Sequence, residues 1–206
     1  MDELDILGKS YTREDGNKMV SGEALFVEDL EPVGKALYGA VVRAGRPHAR
    51  ILKIDTSRAA RAVGVACILT AEDVPNNSYG PVLPDQPVLC ADKIRYEGDP
   101  VVALCAENWE VAEDAARLVR VEYEDLPAVL TAEAALKEGS PLVHESHPTG
   151  NLVTEGKVVK GDVEVGFAEA DIIVEECYRS QAQEHASIET HICMAEMEPS
   201  GILVVH

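Results

Sequence analysis

Stretches of apolar and β-branched residues alternate along the chain with short polar stretches that contain glycine or proline. The apolar stretches are residues 36–44, 49–56, 64–70, 99–107 and 119–130. Most of them are bounded by turn-forming residues such as glycine, proline, serine or asparagine, which is the pattern of a strand. The first two are separated only by residues 45–48, where a glycine and a proline end the pairing, and they are predicted to be neighbouring strands.

Apolar residues at helical spacing predict an amphipathic helix at residues 108–119. The positions i, i+3, i+4 and i+7 are occupied by Ala112, Ala115, Ala116 and Val119. Because alanine is small, this stripe allows the helix to approach a sheet closely while its glutamates face water.

Capping residues predict two further helices. Thr131 opens and Gly139 closes a helix at residues 131–139. Asp162 caps a short helix that leads into a long strand and carries, on one face, Val163, Phe167 and Ala170. Residues 76–87 are rich in proline and asparagine and are expected to form a loop.

The order of these elements predicts an α+β fold of mixed strands and short helices, divided into segments. Residues 1–18 mix charge and glycine and are expected to be a flexible N-terminal arm. Residues 19–130 form a first domain, 131–150 a linker of helix and loop, and 151–206 the first strands of a second domain. The apolar strand near residue 206 has nothing after it to pair with, so a longer polypeptide is expected.

The polar stretch QAQEHASIETHIC, residues 181–193, is the main candidate for chemistry. On a strand its polar residues form one stripe, in which His185 and Glu189 lie about 13 Å apart, too far for one metal ion. On a helix His185, Glu189 and Cys193 would share a face, but the β-branched residues between them disfavour a helix. A strand with one polar face is therefore favoured, and a zinc enzyme using His185, Glu189 and His191 is the least favoured alternative.

Other motifs are weaker. The HESH stretch at residues 144–147 lies in a predicted surface loop, which would leave its rings freely placed rather than joined in a site. Glu122, Glu124 and Asp125 alternate along a strand and are explained by a solvated edge. Dinucleotide, phosphate-binding and serine-nucleophile motifs are missing from the sequence.

Charge and cysteine usage restrict the partners and the compartment. Lysine and arginine number 18, and aspartate and glutamate 37, giving a formal net charge of −19 that disfavours nucleic acids and anionic membranes. The cysteines are odd in number and form no C-x-x-C pair: Cys67, Cys90, Cys105, Cys177 and Cys193. Cys67 and Cys105 lie in runs typical of buried strands. Reduced thiols in a soluble, cytoplasmic protein are expected.

Several segments together resemble the start of the large, molybdenum-binding chain of the xanthine dehydrogenase and aldehyde oxidase family. They include VSGEALFVEDL, ALYGAVVRAGRPHARILKIDTSRA, GVACILTAEDVP, PVLCADKIRYEGDPVVALCAENWEVAEDAARLVRVEYEDLPAVLTAEAAL, GSPLVHE and GDVEVGFAEADIIVEECYRSQAQEHASIET. The resemblance implies an α/β hammerhead domain up to about residue 130, followed by the start of a molybdopterin-binding domain.

The resemblance also implies an oxidoreductase that hydroxylates a purine-like heterocycle or an aldehyde, with water as the oxygen source. Molybdopterin would be the cofactor of the complete enzyme, with 2Fe-2S and FAD on partner domains or subunits, and the complete enzyme would be an oligomer. The family's catalytic and pterin-holding residues fall outside this sequence, so the chain alone is expected to hold no cofactor and to be inactive.

Within this resemblance the polar stretch would brace the cofactor pocket from outside the residues that touch the cofactor. The candidates for this role are Gln183, Glu184, His185 and Glu189. A hydrogen-bond network at a domain junction is an equally weighted alternative. At the level of the whole chain, the alternatives are a free-standing docking module for electron-transfer subunits and part of a carbon monoxide dehydrogenase-type large chain.

Overall fold

The computed structural model describes residues 8–32 and 34–206. The contacts divide the chain into two units. One consists of residues 37–172, and the other joins the described residues before 37 to residues 173–206.

Two antiparallel three-stranded sheets form the framework of residues 37–172. The strands are β1 (Tyr38–Arg43), β2 (Ala49–Asp55), β3 (Val65–Leu69), β4 (Lys93–Ile94), β5 (Pro100–Ala106) and β6 (Arg120–Asp125). One sheet has the order β1-β5-β3 and the other the order β4-β2-β6. The predicted strands at 36–44, 49–56, 64–70 and 99–107 are confirmed within a residue or two of their ends, whereas β6 ends well before residue 130.

The expectation that the first two strands are neighbours is wrong. Strands β1 and β2 belong to different sheets, and β1 pairs instead with β5. Gly45 has φ 60°, in the left-handed region that glycine adopts without strain, and the short connection carries the chain from one sheet to the other. A tight link in sequence therefore joins two sheets rather than forming a hairpin.

The helices are α1 (Gly16–Ser21), α2 (Trp109–Leu118), α3 (Ala132–Ala135) and α4 (Val163–Glu169). Helix α1 begins within the predicted N-terminal arm, of which residues 1–7 lie outside the described residues. The predicted caps of α3 and α4 are confirmed, because Thr131 accepts from the backbone N–H of Ala134, and Asp162 accepts from those of Glu164 and Val165. Helix α3 ends before Gly139.

Helix α2 packs by its alanine stripe, as the spacing predicts. The side chain of Asn108 caps its first turn by accepting a hydrogen bond of 2.9 Å from the N–H of Val111. Ala112 and Ala115 are fully or almost fully buried and share a cluster with Ala40 and Leu104 of the first sheet. Small side chains on the helix allow it to lie close to the strands, which places this cluster between α2 and the sheet.

A second cluster of buried residues joins the two sheets. Its members are Ala44, Ala49, Cys90, Ile94, Val101 and Val102. They come from both sheets and from the segment that precedes β4. The attachment of one sheet to the other therefore depends on this cluster.

Cys90 is the thiol that is buried in this cluster, whereas Cys67 and Cys105 are not fully buried. Cys67 is exposed, and its sulfur lies 3.2 Å from that of its cross-strand partner Cys105. The expectation of a buried strand is wrong for Cys67, because no residue of β3 is fully buried. It is confirmed for Cys105, whose strand β5 is largely buried, although the thiol itself is only half-buried. All the cysteines are free thiols.

Burial raises the pKa of the Cys90 thiol to about 12, and the negative charge of Asp99 adds to the shift. The neutral thiol is therefore favoured in the folded state. Its contribution to stability is complete below the pKa of about 9 of an unfolded thiol and is lost as the pH rises from there towards 12.

We expect the urea midpoint of wild type to fall between pH 9 and 12 more steeply than that of Cys90→Ala. Exposed Cys177→Ala is the matched control and should keep the wild-type slope; equal slopes for wild type and Cys90→Ala would contradict this prediction.

The other unit contains one hairpin near residue 206. Strands β7 (Ala195–Met197) and β8 (Leu203–Val205) pair antiparallel, and the N–H of His206 donates to the carbonyl of Met194 at 2.9 Å. The apolar strand predicted here is confirmed, but it does have a partner, contrary to expectation. The prediction of a long strand after α4 is wrong, because residues 171–194 contain no helix or strand. Among the described residues, no helix has the length and apolar character needed to cross a membrane.

Candidate functional site

The polar stretch of residues 181–193 does not form the predicted one-sided strand. It has no regular secondary structure, and the four bracing candidates, Gln183, Glu184, His185 and Glu189, are all exposed. Ala186 has φ 49°, a left-handed conformation that interrupts an extended chain. The alternation of polar and apolar residues therefore forms no stripe, because no neighbouring strand holds the segment straight.

The contacts of these candidates are local. The backbone N–H of His185 donates to the side chain of the adjacent Glu184 at 3.0 Å. Thr190 donates to Glu28, which lies within the short helical turn Val27–Asp29, and so ties the stretch to the early part of the same unit. Within the part of the chain that the structure describes, His185, Glu189, His191 and Cys193 are not among the residues grouped closely enough to share a metal ion.

These residues do not by themselves fit molybdopterin. A pterin needs a pocket with buried polar groups aimed at it, whereas the candidate side chains lie open to solvent. They are therefore assigned no catalytic step.

The HESH stretch is ordered into a cluster, contrary to the expectation of freely placed rings. The rings of His144 and His147 stack with centroids 5.0 Å apart and planes inclined by 16°. The Nε2 atoms lie 3.8 Å (His144) and 3.0 Å (His147) from one carboxylate oxygen of Asp85. These side chains are largely buried, with exposed fractions of 19%, 12% and 22% for His144, His147 and Asp85.

A turn in the backbone brings the two rings together. The N–H of His147 donates to the carbonyl of His144 at 3.3 Å, which places residues three apart side by side. The intervening Glu145 points away, since it pairs with Lys93 and lies near Arg95. The hydrogen bond from Lys93 holds the pKa of Glu145 below its usual value, so this carboxylate remains ionised and committed to the two cations.

The backbone just before His144 is held from two sides. The N–H of Val143 donates to the side-chain oxygen of Asn151 at 2.9 Å, and the Val143 carbonyl accepts from Arg95 at 2.9 Å. Asn151 also donates to the carbonyls of Ala135 and Pro141, at 3.1 and 3.0 Å. The histidine turn therefore rests on a network anchored in α3 and in the segment after β4.

Burial lowers the pKa of His144, and the positive charge of Arg95 lowers it further, against the opposing effect of Asp85. The neutral imidazole, with a free lone pair, is the favoured form. Sequence reasoning missed this cluster because Asp85 lies in the 76–87 loop, far along the chain from the histidines. The one local signal was the pair of histidines three residues apart.

Comparison with known proteins supplies the context of these residues. Residues 21–127 match the family model described as aldehyde oxidase and xanthine dehydrogenase, a/b hammerhead domain. Residues 143–206 match the molybdopterin cofactor-binding domain.

Two relatives illustrate how the chain compares with longer proteins. A probable xanthine dehydrogenase subunit of Bacillus subtilis is 40% identical over 93% of this chain and 25% of its own length. The nicotinate dehydrogenase large molybdopterin subunit of Eubacterium barkeri is 32% identical over 97% of this chain and 46% of its own length. The chain thus spans between about a quarter and a half of these relatives.

Solved structures agree with the fold. The aldehyde oxidoreductase from Desulfovibrio gigas matches 97% of this chain and 23% of its own, with a TM-score of 0.83 and 32% identity. Quinoline 2-oxidoreductase from Pseudomonas putida 86 matches 96% of this chain and 26% of its own, with a TM-score of 0.81 and 30% identity. The α+β class and the family resemblance predicted from the sequence are confirmed.

Proposed function

Since the chain belongs to the aldehyde oxidase and xanthine dehydrogenase family, we propose that it is a scaffold within a molybdenum hydroxylase. The complete enzyme would convert a carbon–hydrogen bond of a purine-like heterocycle or an aldehyde to a carbon–hydroxyl bond. Water would supply the oxygen, and two electrons and two protons would be released. Molybdopterin would supply the redox centre, and this chain would contribute support rather than catalytic residues.

The observation that carries this proposal is the open surface of the segment that matches the molybdopterin-binding domain. Large apolar side chains there lie in water, including Val158 at 96%, Tyr178 at 85% and Ile188 at 91% exposed. Exposed apolar side chains, which occur here in both units, are typical of surfaces that other domains cover. Residues 151–206 would therefore be completed by further family domains, on this polypeptide or on another.

We assign the remaining parts in the same way. Residues 19–130 would be the hammerhead domain, 131–150 the linker, and 151–206 the beginning of the cofactor domain. Domains or subunits carrying 2Fe-2S and FAD would receive the electrons in a cytoplasmic, oligomeric enzyme. Gln183, Glu184, His185 and Glu189 would brace the cofactor pocket from outside the residues that touch the cofactor, once the exposed face is covered.

The test is made in the complete enzyme with His185→Ala and, as a matched control from the same exposed stretch, His191→Ala. We expect wild type to place oxygen from labelled water in the product. His185→Ala should lower molybdenum content and turnover several-fold, because a brace would order the pocket, while His191→Ala should stay close to wild type.

The measurement on His185→Ala tests the bracing role, and the labelling of the wild-type product tests the hydroxylase proposal. Unchanged molybdenum content and turnover in His185→Ala would refute the bracing role and leave the hydroxylase proposal standing. A wild-type product whose oxygen does not come from water would refute the hydroxylase proposal itself.

A further inference from the structure

We propose that Asp85, His144 and His147 form a binding site for a divalent transition-metal ion, with zinc as the expected occupant. The site lies in the unit of residues 37–172 and joins the 76–87 loop to the histidine turn. It does not depend on the proposed hydroxylase function, because all its donors come from this chain.

The donor atoms are already close to the spacing that an ion requires. One ligand atom from each of the three residues lies within 4.8 Å of the other two. With metal–ligand bonds of about 2.0–2.2 Å, neighbouring donors around a tetrahedral zinc ion lie about 3.3 Å apart. The distances of 3.0 and 3.8 Å from Asp85 to the two rings lie on either side of that value, so small side-chain movements suffice.

The donor types select the class of metal. Two imidazole nitrogens and one carboxylate oxygen suit zinc and the neighbouring transition ions, whereas magnesium and calcium prefer oxygen donors alone. Three protein ligands leave a fourth position for water. The lowered pKa of His144 is consistent with this set, because a metal binds the neutral ring.

The loop that carries Asp85 is held in shape without the ion. Tyr79 and Gln86 exchange two backbone hydrogen bonds, of 2.8 and 3.0 Å, and so close the part of the loop that contains Asp85. The side chain of Asn77 bonds both the N–H and the carbonyl of Leu89, at 2.9 and 2.8 Å. A Cβ at Gly80 would lie 1.9 Å from the carbonyl oxygen of Leu83, so the loop requires glycine there.

The opposite side of the site is held equally well, by the bonds of Val143 to Asn151 and Arg95. Fixed ligands lower the ordering cost of binding, which is the usual basis of tight metal sites. The positive charge that acts on His144 is that of Arg95, and it is partly compensated by Glu145, whose carboxylate lies 3.8 Å away. An ion at this position would clamp the two segments together.

The experiment uses the full chain without a histidine tag, stripped of metal with a chelator. Zinc chloride is titrated by calorimetry, and cobalt chloride by the ligand-field absorption of tetrahedral Co²⁺. We expect one zinc ion per chain, a dissociation constant in the micromolar range or below, and an increase in melting temperature with zinc.

The variants are His147→Gln and the isosteric Asp85→Asn. Each should weaken zinc binding by more than ~100-fold. Losses up to that size are typical for residues that contact a ligand rather than the metal itself, so a larger loss indicates a direct ligand. The matched control is His206→Gln, since His206 also contacts a carboxylate, Glu196 at 3.2 Å, but in a pair rather than a group of three. Melting in the presence of chelator checks that each variant folds.

Two results would overturn the proposal. Wild type without stoichiometric zinc would show that the cluster is only an ion pair that joins two loops. Zinc binding that persists at wild-type affinity in folded Asp85→Asn and His147→Gln would place the ion elsewhere.

Discussion

Ile94→Ala is expected to lower the free energy of unfolding by about 2–5 kcal/mol, the range measured for large-to-alanine changes in packed cores. Ile94 is fully buried in β4, opposite Ala49 of β2, and contacts the cluster that joins the two sheets. Removing its side chain leaves a cavity at the place where each sheet depends on the other. Denaturation of the full chain by urea, followed by circular dichroism, measures the loss.

Two controls accompany this variant. Ile94→Val removes one methylene group and should cost about 0.5–1.5 kcal/mol. Leu52→Ala changes a residue of adjacent β2 that is 59% exposed, and should stay within about 0.5 kcal/mol of wild type. A loss for Ile94→Ala no larger than that for Leu52→Ala would show that the sheets are not joined through this cluster.

Asp99→Ala is expected to destabilise the fold by about 1–3 kcal/mol, because two backbone N–H groups lose their hydrogen bonds to a buried carboxylate. Asp99 is 5% exposed, and one carboxylate oxygen accepts from the N–H of Arg95 at 2.6 Å and of Tyr96 at 3.2 Å. Its own backbone carbonyl accepts from Ala44 at 2.9 Å. The side chain therefore fixes the turn that leads from β4 into β5.

Asp99→Asn keeps an acceptor oxygen and should cost less than Asp99→Ala. Exposed Asp92→Ala removes a carboxylate from the same region and is the matched control. The midpoints of urea denaturation measure the relative stability of these three variants. Equal stability of Asp99→Ala and Asp92→Ala would mean that the turn does not depend on the carboxylate.

Features that depend on local sequence could be predicted. Helix α2 follows from the spacing of Ala112 and Ala115 together with the cap Asn108, and β5 follows from a continuous apolar run. These signals are local because capping and amphipathic spacing act within a few residues. Strand pairing could not be predicted in this way, because the paired strands are far apart in sequence. The short connection between β1 and β2 predicts that they are neighbours in one sheet, whereas the structure places them in separate sheets.

The polar stretch shows the limit of periodicity. Alternation of polar and apolar residues at 181–193 predicted a strand, but a strand needs a hydrogen-bonded neighbour, and among the described residues none pairs with this segment. Conversely, β4 has only Lys93 and Ile94, too short for any pattern to reveal, and exists because β2 pairs with it.

The candidate metal site could be predicted only in part. His144 and His147 are close in sequence, but their partner Asp85 belongs to a distant loop, so the site exists only once the chain is folded. The burial that keeps His144 neutral is likewise a property of the tertiary structure. The stretch is a loop, as the sequence predicts, but its two rings are stacked rather than freely placed.

The central claim is that this chain is a scaffold whose cofactor pocket is completed by further family domains. The most direct measurement is the molybdenum content of the chain, purified from a host that makes molybdopterin, both alone and together with those domains. We expect background molybdenum for the chain alone and stoichiometric molybdenum for the combination. Stoichiometric molybdenum in the chain alone would contradict the claim.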